Sequence, residues 1–224
     1  MKIIDNVYAI PGVIANSYLV VEPDSLTIID TGMPYSEKRI LKFITSLGKS
    51  SQDVKRILIT HADLDHYGCL SALQNATGAR TFTSRVEAEA MAAGQSSRPV
   101  NRTVGGFQRF MIRLMGKLLK PTPIRVDETL EEGQVIPVLG GLQVVETPGH
   151  APAHLSYFAP SAGILFCGDA MRSDGKGFRG SNSRNNWDQA AAEASVRKLK
   201  ELCAQVICPG HGPVVYEAVE KFPI

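Results

Sequence analysis

Five histidines occur in the 224 residues, and four of them stand where an apolar run breaks into a Gly- or Asp-rich turn. The segments are ILITHADLDHYG, VVETPGHAPAH and VICPGHGP, carrying His61, His66, His150, His154 and His211. A further apolar run, ILFCGDA, ends the same way in an acid, Asp169. Imidazoles and carboxylates carried on several strand ends into one cleft are a common way to build a metal site. The densest segment is His61-Ala62-Asp63-Leu64-Asp65-His66, with four groups of ligand type in six positions. Burying that many polar groups in an apolar neighbourhood is costly unless a cation compensates. In a tight loop, alternate residues face one way while the last His turns the other, so the segment can serve two ions a few Å apart. A pair of ions wants a carboxylate between them, for which Asp169 is the candidate, with His150 and His211 completing one ligand set each. His154, four residues after His150, is read as a packing or supporting residue. TPGH and Gly-Asp alone carry little, because Pro, Gly and Asp are ordinary turn formers.

The elements that must position these residues follow from periodicity. Val7–Ile10, Asn16–Val21, Leu26–Asp30 and Arg56–Thr60 read as strands, the last running straight into the His/Asp cluster. Ser36 opens a helical pattern with Ile40, Leu41, Phe43, Ile44 and Leu47, stopped by Gly48. Leu70–Ala76 reads as a helix and Thr81–Phe82 as a short strand. Between 85 and 120 the character becomes that of a helical insertion. Glu87–Ala93 is one helix, Gly94–Arg102 a polar loop, and Phe107–Leu119 a second helix ended by Pro121-Thr122-Pro123. That second helix suits either a lid over the cleft or a homodimer contact, and Met111 and Met115 would suit an adaptable apolar pocket. Strands return at Gln134–Val138, Leu142–Thr147, Leu155–Phe158 and Ile164–Cys167, followed by a helix at Gln189–Leu202 and a strand at Val206–Cys208. The pattern predicts a single domain over 1–224, of α/β (α+β) class, with two sheets packed together and helices outside.

Composition narrows the function classes. With 44% hydrophobic and 21% charged residues and a net charge of +2, the chain has ordinary globular proportions and no basic stripe for nucleic acid. No run approaches the roughly 18 apolar residues of a membrane span, and the N-terminus lacks a signal-peptide core. Cys69, Cys167, Cys203 and Cys208 form no CxxC pair, which predicts reduced thiols and a cytoplasmic location.

Taken in order, these motifs resemble the metallo-β-lactamase superfamily. Its pattern is HxHxDH, a distal His in a TPGH-like turn, an Asp, and a late His in a GHG-like turn. The chain matches at His61, Asp65, His66, His150, Asp169 and His211, and Asp30 in Ile29-Asp30-Thr31-Gly32 matches an early Asp-Gly turn that supports the site from behind. The resemblance spans Val7 to Pro213. It implies a four-layer αββα sandwich and two divalent ions: His61, Asp63 and His150 on the first, Asp65, His66 and His211 on the second, Asp169 bridging. It implies hydrolysis of an ester, thioester, lactone or amide of a small molecule by metal-activated hydroxide, with Asp65 a catalytic candidate. Tyr67, next to His66, is a second catalytic candidate that could donate to the oxyanion, or else a packing residue. Zinc is the expected metal. Asp63 departs from the pattern, standing where most members carry His, and a carboxylate there shifts the first site towards iron or manganese.

The same ligands leave two alternatives, a mononuclear iron dioxygenase acting on a persulfide and a non-catalytic metal-binding homologue. A nuclease would bring an inserted domain or RNA-binding arm, a secreted β-lactamase a signal peptide, and a flavodiiron protein a flavin domain. Arg172, Lys176 and Arg179, in the Gly-rich loop after Asp169, could hold a substrate carboxylate or simply be solvated.

Overall fold

A computed structural model describes residues 1–98, 121–174, 177–181 and 183–222. The helix expected at Phe107–Leu119 lies outside them, as does Lys176. The first sheet runs in chain order as β1 (Lys2–Ile4), β2 (Val7–Ile10), β3 (Ser17–Val21), β4 (Leu26–Ile29), β5 (Val54–Leu58), β6 (Arg80–Thr83) and β7 (Glu128–Thr129). Its strands are antiparallel up to β4 and parallel from β4 to β7. Next come β8 (Val135–Ile136), β9 (Leu142–Glu146), β10 (Leu155–Ala159) and β11 (Ile164–Gly168). β12 (Met171–Ser173) and β13 (Phe178–Gly180) form a separate hairpin, and β14 (Val206–Pro209) and β15 (Val215–Tyr216) return to the second sheet. The order there is β15-β14-β11-β10-β9-β8, with β11 and β14 the parallel pair.

Side-chain alternation builds the layers. Along β3, Tyr18 and Val20 face the second sheet while Leu19 faces outward; along β11, Ile164 and Phe166 face the first sheet while Leu165 and Cys167 face outward. The inner faces form one core running from Ile3 and Val7 to Val206 and Cys208. Outside the first sheet lie α1 (Glu37–Ser46), α2 (Leu64–Tyr67), α3 (Leu70–Thr77) and α4 (Arg85–Ala92); outside the second lies α5 (Gln189–Glu201). α1 buries Ile40 and Ile44, four residues apart, against the sheet. α5 starts at Asp188, whose side chain accepts from the Ala191 N–H (3.0 Å), and carries Lys198 and Lys200 in its last turn, where the helix dipole favours them. The result is the expected four-layer αββα sandwich.

The two sheets are tied together where the cleft lies. The Thr60 carbonyl accepts from the Leu155 N–H (2.9 Å), and the Tyr157 hydroxyl donates to the Ile59 carbonyl (2.8 Å). β5 therefore ends at Leu58, two residues before the expected Thr60: the Ile59 N–H still donates to Phe82 of β6 (2.9 Å), but the carbonyls of Ile59 and Thr60 turn towards the opposite sheet. At the other side of the cleft, the Tyr18 hydroxyl (2.6 Å) and Asn16 Nδ2 (2.9 Å) both donate to the Pro209 carbonyl. β1, β7, β15 and the β12–β13 hairpin carry no periodic signal in the sequence, being two or three residues long.

Candidate metal centre

The segment that carries four of the donors changes backbone direction midway. Asp63 is extended (ψ 148°), and the single turn of α2 begins directly after it, with His66 and Tyr67 N–H groups donating to the Asp63 carbonyl (2.9 and 3.1 Å). His61 and Asp63 thus leave the strand end on one side, and Asp65 and His66 ride the helical turn on the other. His150 arrives from the turn after β9, Asp169 from the end of β11, and His211 from the end of β14.

All seven predicted donors converge. His61 Nε2 and His150 Nε2 lie 3.6 and 3.3 Å from Asp63 Oδ2. His211 Nε2 lies 3.3 Å from Asp65 Oδ2. Asp169 sits between the two groups: Oδ1 is 3.3 Å from His66 Nε2, and Oδ2 is 3.4 and 3.5 Å from His150 and His211 Nε2. Three triads, His61–Asp63–His150, His61–His66–Asp169 and Asp65–His66–His211, each keep their ligand atoms within 4.8 Å of one another. His61 Nε2, His66 Nε2 and Asp169 Oδ1 are buried without a hydrogen-bond partner among the described residues. Buried polar atoms left unpaired at one point fit a cation, which would satisfy them together.

Behind the donors, one carboxylate sets the imidazoles. Asp30 Oδ2 accepts from His66 Nδ1 (2.8 Å), which leaves Nε2 bare for a metal. Asp30 Oδ1 accepts the Thr60 N–H (2.8 Å), and the Thr60 hydroxyl donates to Oδ2 (2.9 Å) while receiving His61 Nδ1–H (3.0 Å). Asp30 therefore fixes both His61 and His66 in the ligating tautomer, one through Thr60. His154 supports the site in the same manner from the second sheet. Its Nε2 accepts the Asp169 N–H (3.1 Å) and its Nδ1–H donates to Thr147 Oγ1 (2.8 Å). Burial holds its pKa well below the usual histidine value, in keeping with a neutral ring.

Burial raises the pKa of Asp63, but His150, His61 and Arg98 outweigh it and hold the carboxyl well below its ordinary range. Burial likewise acts on Asp169, and His66, His150 and His61 prevail, so it too is ionised. The His211 pKa is raised, chiefly by its hydrogen bond to Asp65. Close approach requires a residue without a side chain at 210: a Cβ on Gly210 would run into Asp169 Oδ1 and stand 2.8 Å from His66 Cε1.

Tyr67, expected as an oxyanion donor, is packed in the core beneath α1 and α3, and its hydroxyl donates to the Gln95 carbonyl (3.3 Å). That geometry gives it a packing and anchoring role. Arg172 lines a cavity of about 130 Å³ together with His150, Asp169, Ser181, Asn185 and His211. Arg179 instead pairs with Asp174 (3.0 Å) at the surface.

Three residues of the site were not anticipated. Glu87, fully buried, accepts from the Ala62 N–H (2.8 Å), the Ala153 N–H (3.2 Å) and the Ser97 hydroxyl (2.9 Å), so it clamps both His-bearing loops. Ser96 donates to Asp63 Oδ1 (2.7 Å), and Arg98 forms an ion pair with Asp63 Oδ2. Glu87 had a legible signal, an acid four residues before Met91 on the buried stripe of α4. Ser96 and Arg98 had none, lying in a polar loop far along the chain from Asp63.

The model of the metallo-beta-lactamase superfamily matches residues 10–211. The chain belongs to the metallo-β-lactamase superfamily. Superfamily relatives include the uncharacterized protein YobT of Bacillus subtilis (strain 168), 28% identical over 92% of this chain and 86% of its own length. A hydroxyacylglutathione hydrolase of Nitrosococcus oceani is 37% identical over 48% of this chain, which spans only 43% of that enzyme. Among solved structures, the superfamily protein TTHA1429 from Thermus thermophilus superposes with a TM-score of 0.74 at 24% identity, covering 97% of this chain and 77% of its own. The donors that the motif resemblance implies all meet here, with Asp63 at the position where that pattern has His. The chain is accordingly a metal-binding hydrolase of this superfamily, and no helix among the described residues is long and apolar enough to cross a membrane.

Proposed function

We propose that this chain hydrolyses a small-molecule thioester or related ester at a centre with two cation subsites bridged by Asp169, in the cytoplasm. The observation that carries the reading is the convergence of seven donors on buried, unpaired lone pairs beside a cavity lined by Arg172. The likeness to a hydroxyacylglutathione hydrolase supports a thioester among the carbonyl substrates the family admits. Cys69, Cys167 and Cys208 are buried free thiols, which supports a reducing compartment.

A divalent ion held here supplies Lewis acidity, lowering the pKa of a water and polarising the carbonyl oxygen it faces. Each subsite offers two imidazoles and one carboxylate beside the shared Asp169, a set that suits zinc and also admits iron or manganese. The protein's own residues do the rest. Asp65, hydrogen-bonded to His211 and only partly exposed, is placed to take the proton that an attacking water gives up. A cavity of about 130 Å³ admits a carbonyl group and its nearest atoms, far less than the roughly 300–1,000 Å³ of sites that engulf a ligand, so the acyl and thiol portions extend outward. Arg172 at the rim offers a planar donor fork for a carboxylate on one of them.

The test is a substrate panel of thioesters, lactones and β-lactams on protein supplied with zinc, manganese or iron. Thioester turnover exceeding that of the other classes is expected. Absence of turnover on every class, with oxygen consumption on a persulfide, would replace hydrolysis by oxygenation.

A further inference from the structure

Arg98 reaches the first subsite from residues 95–98, a strap pinned at three points. The Gln95 carbonyl accepts from Tyr67, the Ser96 hydroxyl donates to Asp63 Oδ1 (2.7 Å), and the Ser97 hydroxyl donates to Glu87 (2.9 Å). The Arg98 side chain is about nine-tenths buried, at 10% exposure. Its Nη1 donates to the Asn185 carbonyl, and its Nη2 donates to Asp63 Oδ2 and stands 3.2 Å from His150 Nε2.

Those two acceptors are the atoms that would bind the first ion. Asp63 Oδ1 accepts from Ser96, and Oδ2 is the oxygen that lies beside His61 and His150 Nε2. A metal on His150 would sit roughly 2.0–2.1 Å from Nε2, in front of the lone pair that the guanidinium faces. Guanidinium and ion therefore compete for the same electrons, and their like charges exclude joint occupancy at such a separation. At the second subsite the ion-pair partners of His66 and His211 are all carboxylates, Asp30, Asp65 and Asp169. Charge follows the same logic. Asp63 adds a negative charge where the family pattern has a neutral imidazole, and Arg98 returns one positive charge to the same oxygen.

We propose that Arg98 is the resident cation of the first subsite, so that the protein binds a single metal ion, at Asp65, His66 and His211 with Asp169. This rests on the metal-binding reading above and fixes the identity of its first cation. The exchange of His for Asp and the presence of Arg98 then form one device, a guanidinium–carboxylate pair in place of an ion.

The experiment counts metal in the full-length protein after saturation with zinc and dialysis, with a parallel cobalt(II) titration followed by its visible spectrum. Wild type is expected to hold one ion per chain and the cobalt spectrum to saturate at one equivalent. Arg98→Met, which keeps the length and removes the charge, is expected to take up a second ion. Asp63→His, which removes the pair's acid and restores the neutral ligand, is expected to do the same, so the outcome does not hang on one variant folding. Arg179→Met, in a surface pair, should stay at one. Two ions in wild type would overturn this proposal and leave the metallo-hydrolase reading intact, as would one ion in both folded Arg98→Met and Asp63→His. No metal in any form would overturn both.

Discussion

Replacing Asp30 by Asn tests whether one buried carboxylate sets the tautomers of the centre. The change conserves shape, and Asp30 is almost fully buried, so the amide must fit the same partners. An amide has one acceptor and one donor end, whereas Asp30 accepts at both. With the amide oxygen towards the Thr60 N–H, the NH₂ faces His66 Nδ1 across the present 2.8 Å contact. His66 must then carry its proton on Nε2, and the donor atom is lost. With the amide reversed, two N–H groups meet at Thr60. Either way one buried pairing fails, at about 1–3 kcal/mol, and the metal affinity should fall by roughly 10- to 100-fold, the usual effect of losing such a supporting partner. Competition against a chromophoric chelator measures the affinity, and ¹⁵N shifts of the histidine ring report the tautomer in the metal-free protein at a pH above the raised His66 value, where the ring is neutral. An affinity within about threefold of wild type, with Nε2 of His66 still bare, would refute the reasoning.

Other outcomes follow from the same geometry. Glu87→Ala leaves the Ala62 and Ala153 N–H groups unpaired and should cost about 2–4 kcal/mol of unfolding free energy in denaturant titration, with Glu87→Gln costing less. Tyr67→Phe removes a 3.3 Å hydrogen bond to a backbone carbonyl and should change kcat by less than about threefold, with stability lowered by about 0.5–1.5 kcal/mol; a hundredfold loss of kcat would restore the oxyanion role. Burial lowers the His66 pKa, but Asp169 and Asp30 prevail and hold it well above the usual value, and Asp65 raises that of His211. A folded-state pKa above the unfolded one contributes stability below about pH 6.5 that is lost as pH rises through the folded value. His150 and His154, whose values burial lowers, act the opposite way over the same window, so the comparison is between variants. Metal-free His211→Gln should lose less stability than wild type from about pH 6 to about pH 8.5, and saturating metal, which needs neutral imidazoles, should stabilise wild type more at the higher pH.

Much of the centre was legible because its donors sit in local motifs. HADLDH, TPGH, the Gly-Asp after Phe166-Cys167 and PGHG each announce a strand end, and strand ends are where a sandwich opens a cleft. The layers were legible in the alternation of β3 and β11 and the stripe of α1. What escaped were residues whose meaning is wholly tertiary. Arg98 lies 35 positions from Asp63 and 52 from His150, in a loop whose polarity reads as solvent exposure. The support role of His154 became specific only once its ring was found against the Asp169 N–H. The β12–β13 hairpin hid in the Gly-rich stretch that also carries Arg172, since three-residue strands leave no period to detect.

The tie between the two ends of the chain has a kinetic consequence. The loop that delivers His211 is held by Asn16, whose amide donates to the carbonyls of Pro209 and Gly212 across 193 and 196 residues, and whose N–H donates to Gly210 (2.7 Å). Contacts of such separation are reached late, because the loop they close must first lose its freedom. During synthesis, His61 and His66 leave the ribosome long before His211 can dock. Full-affinity metal capture should thus trail the appearance of secondary structure in refolding, making the ion a reporter of the final closure rather than a seed for the fold.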